Sequence, residues 1–330
     1  MVTLRDVLST FVIGALLTAA GPGAGGGAAV KAKRASSSET FNPRTGLAAP
    51  SFDLLVRAIK QHDRGATERL TARLGPGRLV QGLAQTDRRV VLAVLAAAPE
   101  ARGAVLLVDP VADLTSSGDP AVSEAAAHTL GQLLDGDAPA ALEEWDVPPD
   151  AVAHGCAALR GLALRGLAPV PARLAALGAL ADAVATCGDS DSLLPLLQET
   201  DPSLRRAAAH TVRARTPGAQ AALLSTTRDP DAGVASAAAG ALCRGRPISA
   251  TAAESARALI LHPRTSPDDA ADMLPCLLAA GTPADAKLLE QIRGGLPSPL
   301  RDQLLLLAPP PPAPATTPTP APAPPPAKTP

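Results

Sequence analysis

The chain has 330 residues, with 30 Lys and Arg against 31 Asp and Glu, and its only aromatics are three Phe and one Trp. That length allows one or two globular domains or one solenoid, and a net charge of −1 argues against the basic face that nucleic-acid binding needs. Aromatics supply much of the buried area of a thick core; without them the core must be small aliphatic side chains in closely approaching helices.

The first element is Val7 to Ala20, uncharged and mostly apolar. It is short of the roughly 20 residues that cross a bilayer. Its position and the small residues Thr18, Ala19 and Ala20 fit a secretory signal over 1–20, cleaved near Ala20, so the expectation is export to the periplasm or the medium. The leading segment carries one Arg offset by Asp6, and Pro22 crowds the cut, which keeps two alternatives open. One is a membrane anchor formed by residues 7–20; the other is a cytoplasmic chain. Residues 21–49 read as a Gly/Ala/Ser-rich linker. Gly21, Gly23 and Gly26 match a dinucleotide fingerprint in spacing only, because neither a preceding strand nor a βαβ unit accompanies them.

From 50 to 307, helix-length apolar segments alternate with short Gly, Pro or Asp breaks. Helices are predicted over 52–62, 66–74, 78–84, 87–98, 111–116, 120–134, 139–145 and 150–167. They continue over 171–186, 192–199, 202–215, 219–227, 230–243, 252–261, 267–280, 283–293 and 297–307. Pro275 inside one of them predicts a kink.

Two of these segments are near copies. Asp119-Pro120 opens a run through Ala125, Ala126, Ala127, His128, Thr129 and Leu130; Asp201-Pro202 opens one through Ala207, Ala208, Ala209, His210, Thr211 and Val212. A looser third copy starts at Asp229-Pro230. Asp supplies an N-cap acceptor for the free amides of a first turn, and Pro at the first helical position leaves no amide unpaired. Repetition near 30 residues means units that bury their apolar faces only against neighbours. The predicted fold is therefore all-α: an α-solenoid, a right-handed superhelix of seven to eight stacked antiparallel helical hairpins with disordered ends.

These motifs resemble the HEAT-repeat family, in its bacterial, bilin-lyase-like branch, where the second helix opens with Asp-Pro and continues Val-Arg-x-x-Ala-Ala-x-x-Leu. The match is good over Asp201 to Val212, and nearly so over Asp119 to Leu130, where Ser123-Glu124 stands in place of the Arg. The resemblance implies a structural role for the motif residues and carries no catalytic, cofactor-binding or metal residue over to this chain. The missing Arg puts in question the Asp-to-Arg ladder that links neighbouring repeats in that family.

Residues with chemistry are few. His128 and His210 share a repeat position and read as duplicated structural residues; no His or Cys spacing suggests a metal. Cys156, Cys187, Cys243 and Cys276 admit two readings, disulfides in an exported chain or four buried thiols acting as small apolar residues. Folding 150–167 against 171–186 leaves Cys156 and Cys187 offset by about four residues, roughly 6 Å along the axis. A bridge there requires the turn boundary to shift. Asp268, Asp269 and Asp272 read as carboxylates favouring a helix start. Trp145 is either a partner contact or a gap filler between irregular units, and Arg205 and Arg206 are candidate partner contacts.

The tail 308–330 holds twelve Pro between Pro309 and Pro330, a composition that favours an extended spacer over packed structure. Taken together, the sequence predicts a non-catalytic scaffold of the bacterial cell envelope that binds a protein partner along the second helices. No cofactor, nucleic acid or small-molecule substrate is expected, and membrane contact only if 7–20 is retained. The alternatives are a bilin-lyase-like enzyme and a cytoplasmic regulatory array.

Overall fold

The computed structural model describes residues 52–307, apart from 137, 189, 246, 296 and 297. The expectations for 1–20, 21–49 and 308–330 lie outside the described residues.

Within this span the regular elements are helical. They are α1 (Phe52–Lys60), α2 (Arg64–Leu83), α3 (Arg88–Ala97), α4 (Val108–Leu114), α5 (Pro120–Leu133), α6 (Ala138–Glu144), α7 (Pro149–Leu164) and α8 (Val170–Asp182). There follow α9 (Val184–Cys187), α10 (Pro202–Thr211), α11 (Pro217–Thr226), α12 (Ala232–Arg244), α13 (Ala250–Leu259), α14 (Pro267–Ala280), α15 (Pro283–Gly295) and α16 (Ser298–Leu307). Short 3₁₀ segments, Ala98–Glu100, Ala104–Leu107 and Asp191–Gln198, fill the gaps.

The helices form two layers. α1, α3, α5, α8, α10, α12, α14 and α16 pack successively on one another, and α2, α4, α7, the 3₁₀ segment Asp191–Gln198, α11, α13 and α15 cover them from one side. The array is an α-solenoid whose units touch mainly their immediate neighbours. Its core is one continuous strip of Leu, Val and Ala, including Leu95, Leu130, Leu177, Leu204 and Leu223.

Small residues set the spacing of the inner layer. A Cβ on Gly131 of α5 would fall 2.9 Å from the backbone of Ala179 in α8, so only glycine permits this approach. One turn's register is also pinned by hydroxyls. Thr129 and Thr211, each following a repeat histidine, donate to Leu95 O and Leu177 O at 3.1 Å, both 34 residues back in the preceding inner helix.

Four departures from the predicted elements have local causes. The segment 171–186 divides: α8 stops at Asp182, Ala183 breaks the helix, and Cys187 rides on the separate turn α9. Segment 192–199 is 3₁₀, since Pro195 inside it cannot donate to an α-helical ladder. α10 ends at Thr211 with Val212 extended, well before 215. In the third repeat copy the helix starts at Ala232 and its N-cap is Asp231, which accepts from Gly233 N and Val234 N. Asp229 and Pro230 therefore precede the helix and do not open it. Helix α14 runs through Pro275 to Ala280. Among the described residues no helix is long and apolar enough to cross a membrane.

Candidate functional site

The densest polar cluster lies across the inner helices α10, α12 and α14, and small residues make it possible. α12 presents Gly233, Ser236 and Gly240 toward its neighbours. A Cβ on Gly233 would lie 3.6 Å from Arg206 Cδ, and one on Gly240 would lie 2.9 Å from Asp272 Cβ. Side chains from α10 and α14 thus meet over α12. Arg206 Nη2 reaches Asp269 Oδ2 at 3.0 Å and Ser266 Oγ at 3.2 Å, a link 63 residues long in sequence that skips one whole repeat.

Asp269 is fully buried. Ser236 Oγ donates to its Oδ2 at 2.8 Å, and His210 Nε2 lies 3.1 Å from Oδ1. That second contact lacks ordinary hydrogen-bond geometry, since Oδ1 has no hydrogen-bond partner. Burial alone raises the pKa of Asp269; the contacts with His210, Ser266 and Ser236 outweigh it and lower the value to about 2. Ser266 itself caps α14, accepting from Asp269 N at 3.1 Å. Beside this group Arg244 pairs with Asp272 and donates to His210 O at 3.0 Å.

One cation in this row is left over. Arg213, just past the end of α10, has a buried Nε with no partner, and no carboxylate pairs with it among the described residues. Burial, then repulsion from Arg244 and Arg215, lowers its pKa. Asp272 attracts the guanidinium at longer range, without an ion pair.

The cluster has no relay for proton transfer. Ser236 gives its proton to Asp269, not to His210, so nothing activates the hydroxyl. A carboxylate with so low a pKa is a weak base near neutrality. What the arrangement does chemically is to cross-link three repeats and to leave one half-buried guanidinium without an ion pair among the described residues.

The predicted residues fall as follows. Asp119 and Asp201 are N-caps, accepting from Ala121 N at 2.9 Å and Ser203 N at 2.8 Å, with Pro120 and Pro202 at the first helical positions. Asp119 also meets Arg88 at 2.9 Å. Asp229, relieved of capping, accepts from Arg205 Nε at 2.8 Å and Nη2 at 3.0 Å. Arg205 further donates to Glu199 O and Thr200 O, so its guanidinium is engaged within the chain and not toward a partner. Arg257–Asp285 and Arg173–Glu199 add further links. An ion-pair ladder between neighbouring repeats exists, built from side chains outside the Asp-Pro motif as well as within it.

His128 and His210 are not brought together, because α8 packs between α5 and α10. His128 is half-buried, and that burial lowers its pKa against the opposing pull of Asp182. The reading of four free thiols is overturned. Cys156 is bonded to Cys187 and Cys243 to Cys276, with Cα atoms 5.4 and 5.1 Å apart. The turn between α7 and α8 stays near 165–169; the break at Ala183 puts Cys187 on its own short turn, which meets Cys156. Trp145 is half-buried, and its ring covers Gly103, where a Cβ would come within 3.1 Å. The positive φ of 70° at Gly103 suits glycine independently.

Sequence reading took Asp269 only for a helix-start carboxylate and did not foresee the burial that joins it to Ser236 beside Arg213. Asp269 stands three residues after Ser266, the spacing of a reciprocal cap, and nothing local marks its burial by helices 33 and 63 residues away. No group of three or more His, Cys, Asp or Glu that could hold a metal occurs among the described residues.

No protein-family model and no curated protein matches the chain. Among solved structures, it is similar to an engineered protein at 19% identity, TM-score 0.45, over 76% of this chain and 68% of that one. It is also similar to the CpcE–CpcF complex of phycocyanin lyase from Nostoc sp. PCC7120 at 19% identity, TM-score 0.36, over 82% and 100%. A second engineered protein matches at 17% identity, TM-score 0.30, over 77% and 93%.

Proposed function

We propose that the chain is a non-catalytic, HEAT-like scaffold that works outside the reducing cytoplasm and docks a protein partner along the inner helices α10, α12 and α14. The observation that carries this is Arg213. In a row where Arg206 and Arg244 each have a carboxylate, Arg213 has no ion pair among the described residues. A partly desolvated guanidinium is a strong donor to a partner's carboxylate, because part of the desolvation is already met before binding. The Asp-Pro caps and the repeat near 30 residues support the HEAT-like assignment. Two disulfides support an oxidising compartment, since such bonds persist mainly in exported chains.

The test is photo-crosslinking in the producing cell. A crosslinker at position 213 should trap a discrete protein partner, and one at Leu261, exposed at the end of the outer helix α13, should not. Equal trapping at both positions removes the inner-face reading. Fractionation with N-terminal sequencing checks the compartment: an intact Met1 in the cytoplasmic fraction removes export.

A further inference from the structure

The leading hairpin carries a second feature, apart from α10–α14. Helices α1 and α2 leave between them an open groove of about 290 Å³. From α1 it is lined by Leu54, Arg57 and Ala58, with Gln61 one step further on. From α2 it is lined by Ala66, Arg69, Leu70 and Arg73. Both sets follow i, i+3, i+4, i+7, so each helix turns one continuous stripe into the groove.

Both stripes mix apolar side chains with arginine: Leu54 and Ala58 with Arg57 on α1, Ala66 and Leu70 with Arg69 and Arg73 on α2. Leu54 is 44% exposed, although it is apolar and sits in the first turn of a described helix. Arg57, Arg69 and Arg73 make no ion pair or side-chain hydrogen bond with any described residue. Two of the three nearby carboxylates are committed elsewhere: Asp63 caps α2, and Glu68 is held by Arg64. Over residues 52–83 there are six cationic side chains against three carboxylates, in a chain whose total is −1.

We propose that this groove is a docking site for an acidic amphipathic helix of a partner protein, lying between α1 and α2 as a third helix. Its apolar stripe covers Leu54, Ala58 and Leu70. Its flanking Asp or Glu residues meet Arg57 on one side and Arg69 and Arg73 on the other. The helix-in-groove mode needs the i, i+3, i+4, i+7 anchors that both walls supply, and the charge balance of the walls selects the sign of the partner. The segment Val7 to Ala20 of this chain has no charge and so offers the arginines nothing.

The experiment uses the full oxidised chain and two designed peptides of about 18 residues, long enough to hold helix. Both carry Leu on one stripe; one carries Glu on its flanks, the other Lys. Fluorescence anisotropy should show saturable binding of the Glu peptide and none of the Lys peptide. The double variant Arg69→Glu, Arg73→Glu should weaken binding roughly tenfold or more, as should raising salt from about 50 to 500 mM. Leu54→Asn should weaken it at unchanged charge. Arg213→Glu should leave it unchanged, which separates this site from the inner face. Equal binding of both peptides, no binding, or binding indifferent to the arginine variants overturns the proposal. So does Arg69- and Arg73-dependent sedimentation with phosphatidylglycerol vesicles when the Glu peptide fails, which assigns the groove to a membrane surface, or concentration-dependent dimers abolished by the same variants.

Discussion

Asp269 shows how far one side chain can tie a repeat protein together. It sits at the third position of α14, yet its carboxylate faces helices two repeats back. Replacing it by Asn leaves Arg206 and His210 without their anion. Arg206 is 41% exposed on its side-chain surface, so the expected loss is roughly 2–3 kcal/mol, less than for a fully buried pair; chemical denaturation of Asp269→Asn checks it. The same group sets an acid limit. Its folded pKa, about 2, lies below the ordinary aspartate value of 3.8. Its stabilisation is therefore complete above pH 4 or so and is lost as pH falls toward the folded value. His128 acts at a higher pH. Burial lowers its folded pKa from 6.5, so the unfolded chain takes the proton first and stability declines as pH drops below about 6.5. His128→Gln should flatten the pH dependence of the melting temperature in that window and leave the slope near pH 3 intact.

At the level of helices, close packing and cross-links compete for importance. Gly131→Ala puts a methyl against the backbone of Ala179 and should cost about 1–3 kcal/mol, because two backbones must part. Leu204 and Ala208 face the core of α10; Asp at either should melt that unit, and an unchanged melting temperature would place the buried face elsewhere. The bridges close loops of 31 and 33 residues. In the chain-entropy description each contributes about 3–4 kcal/mol, so reduction under mild denaturant should lower the midpoint by an amount that Cys243→Ala with Cys276→Ala reproduces in part.

Helix starts were legible where the capping chemistry was local, as at Asp119 and Asp201. They were misread at Asp229, since two Asp stand two residues apart and the second makes the better cap. Cys187 was placed at the wrong height because a break at Ala183, with neither Gly nor Pro at that position, leaves no mark in the sequence. The polar cluster was hidden for a different reason: its members are contributed by three repeats, and Asp269 looks like an ordinary first-turn acid.

For the molecule as a whole, neighbour-only packing implies stability that is summed unit by unit. Removing α15 and α16 should leave the remaining array folded, with far-UV dichroism per residue nearly unchanged and a modestly lower midpoint. A collapse of the entire signal would mean that the ends support the middle.

Trp145 over Gly103 carries a practical corollary. With no Tyr in the chain, one indole supplies nearly all of its ultraviolet emission. That glow therefore watches a single spot, the seam between α6 and the 3₁₀ turns before α4, and is blind to the more than half of the polypeptide that follows Trp145. During heating, emission and dichroism should part company whenever the far units loosen first, so the protein arrives with its own built-in locator for where unravelling begins.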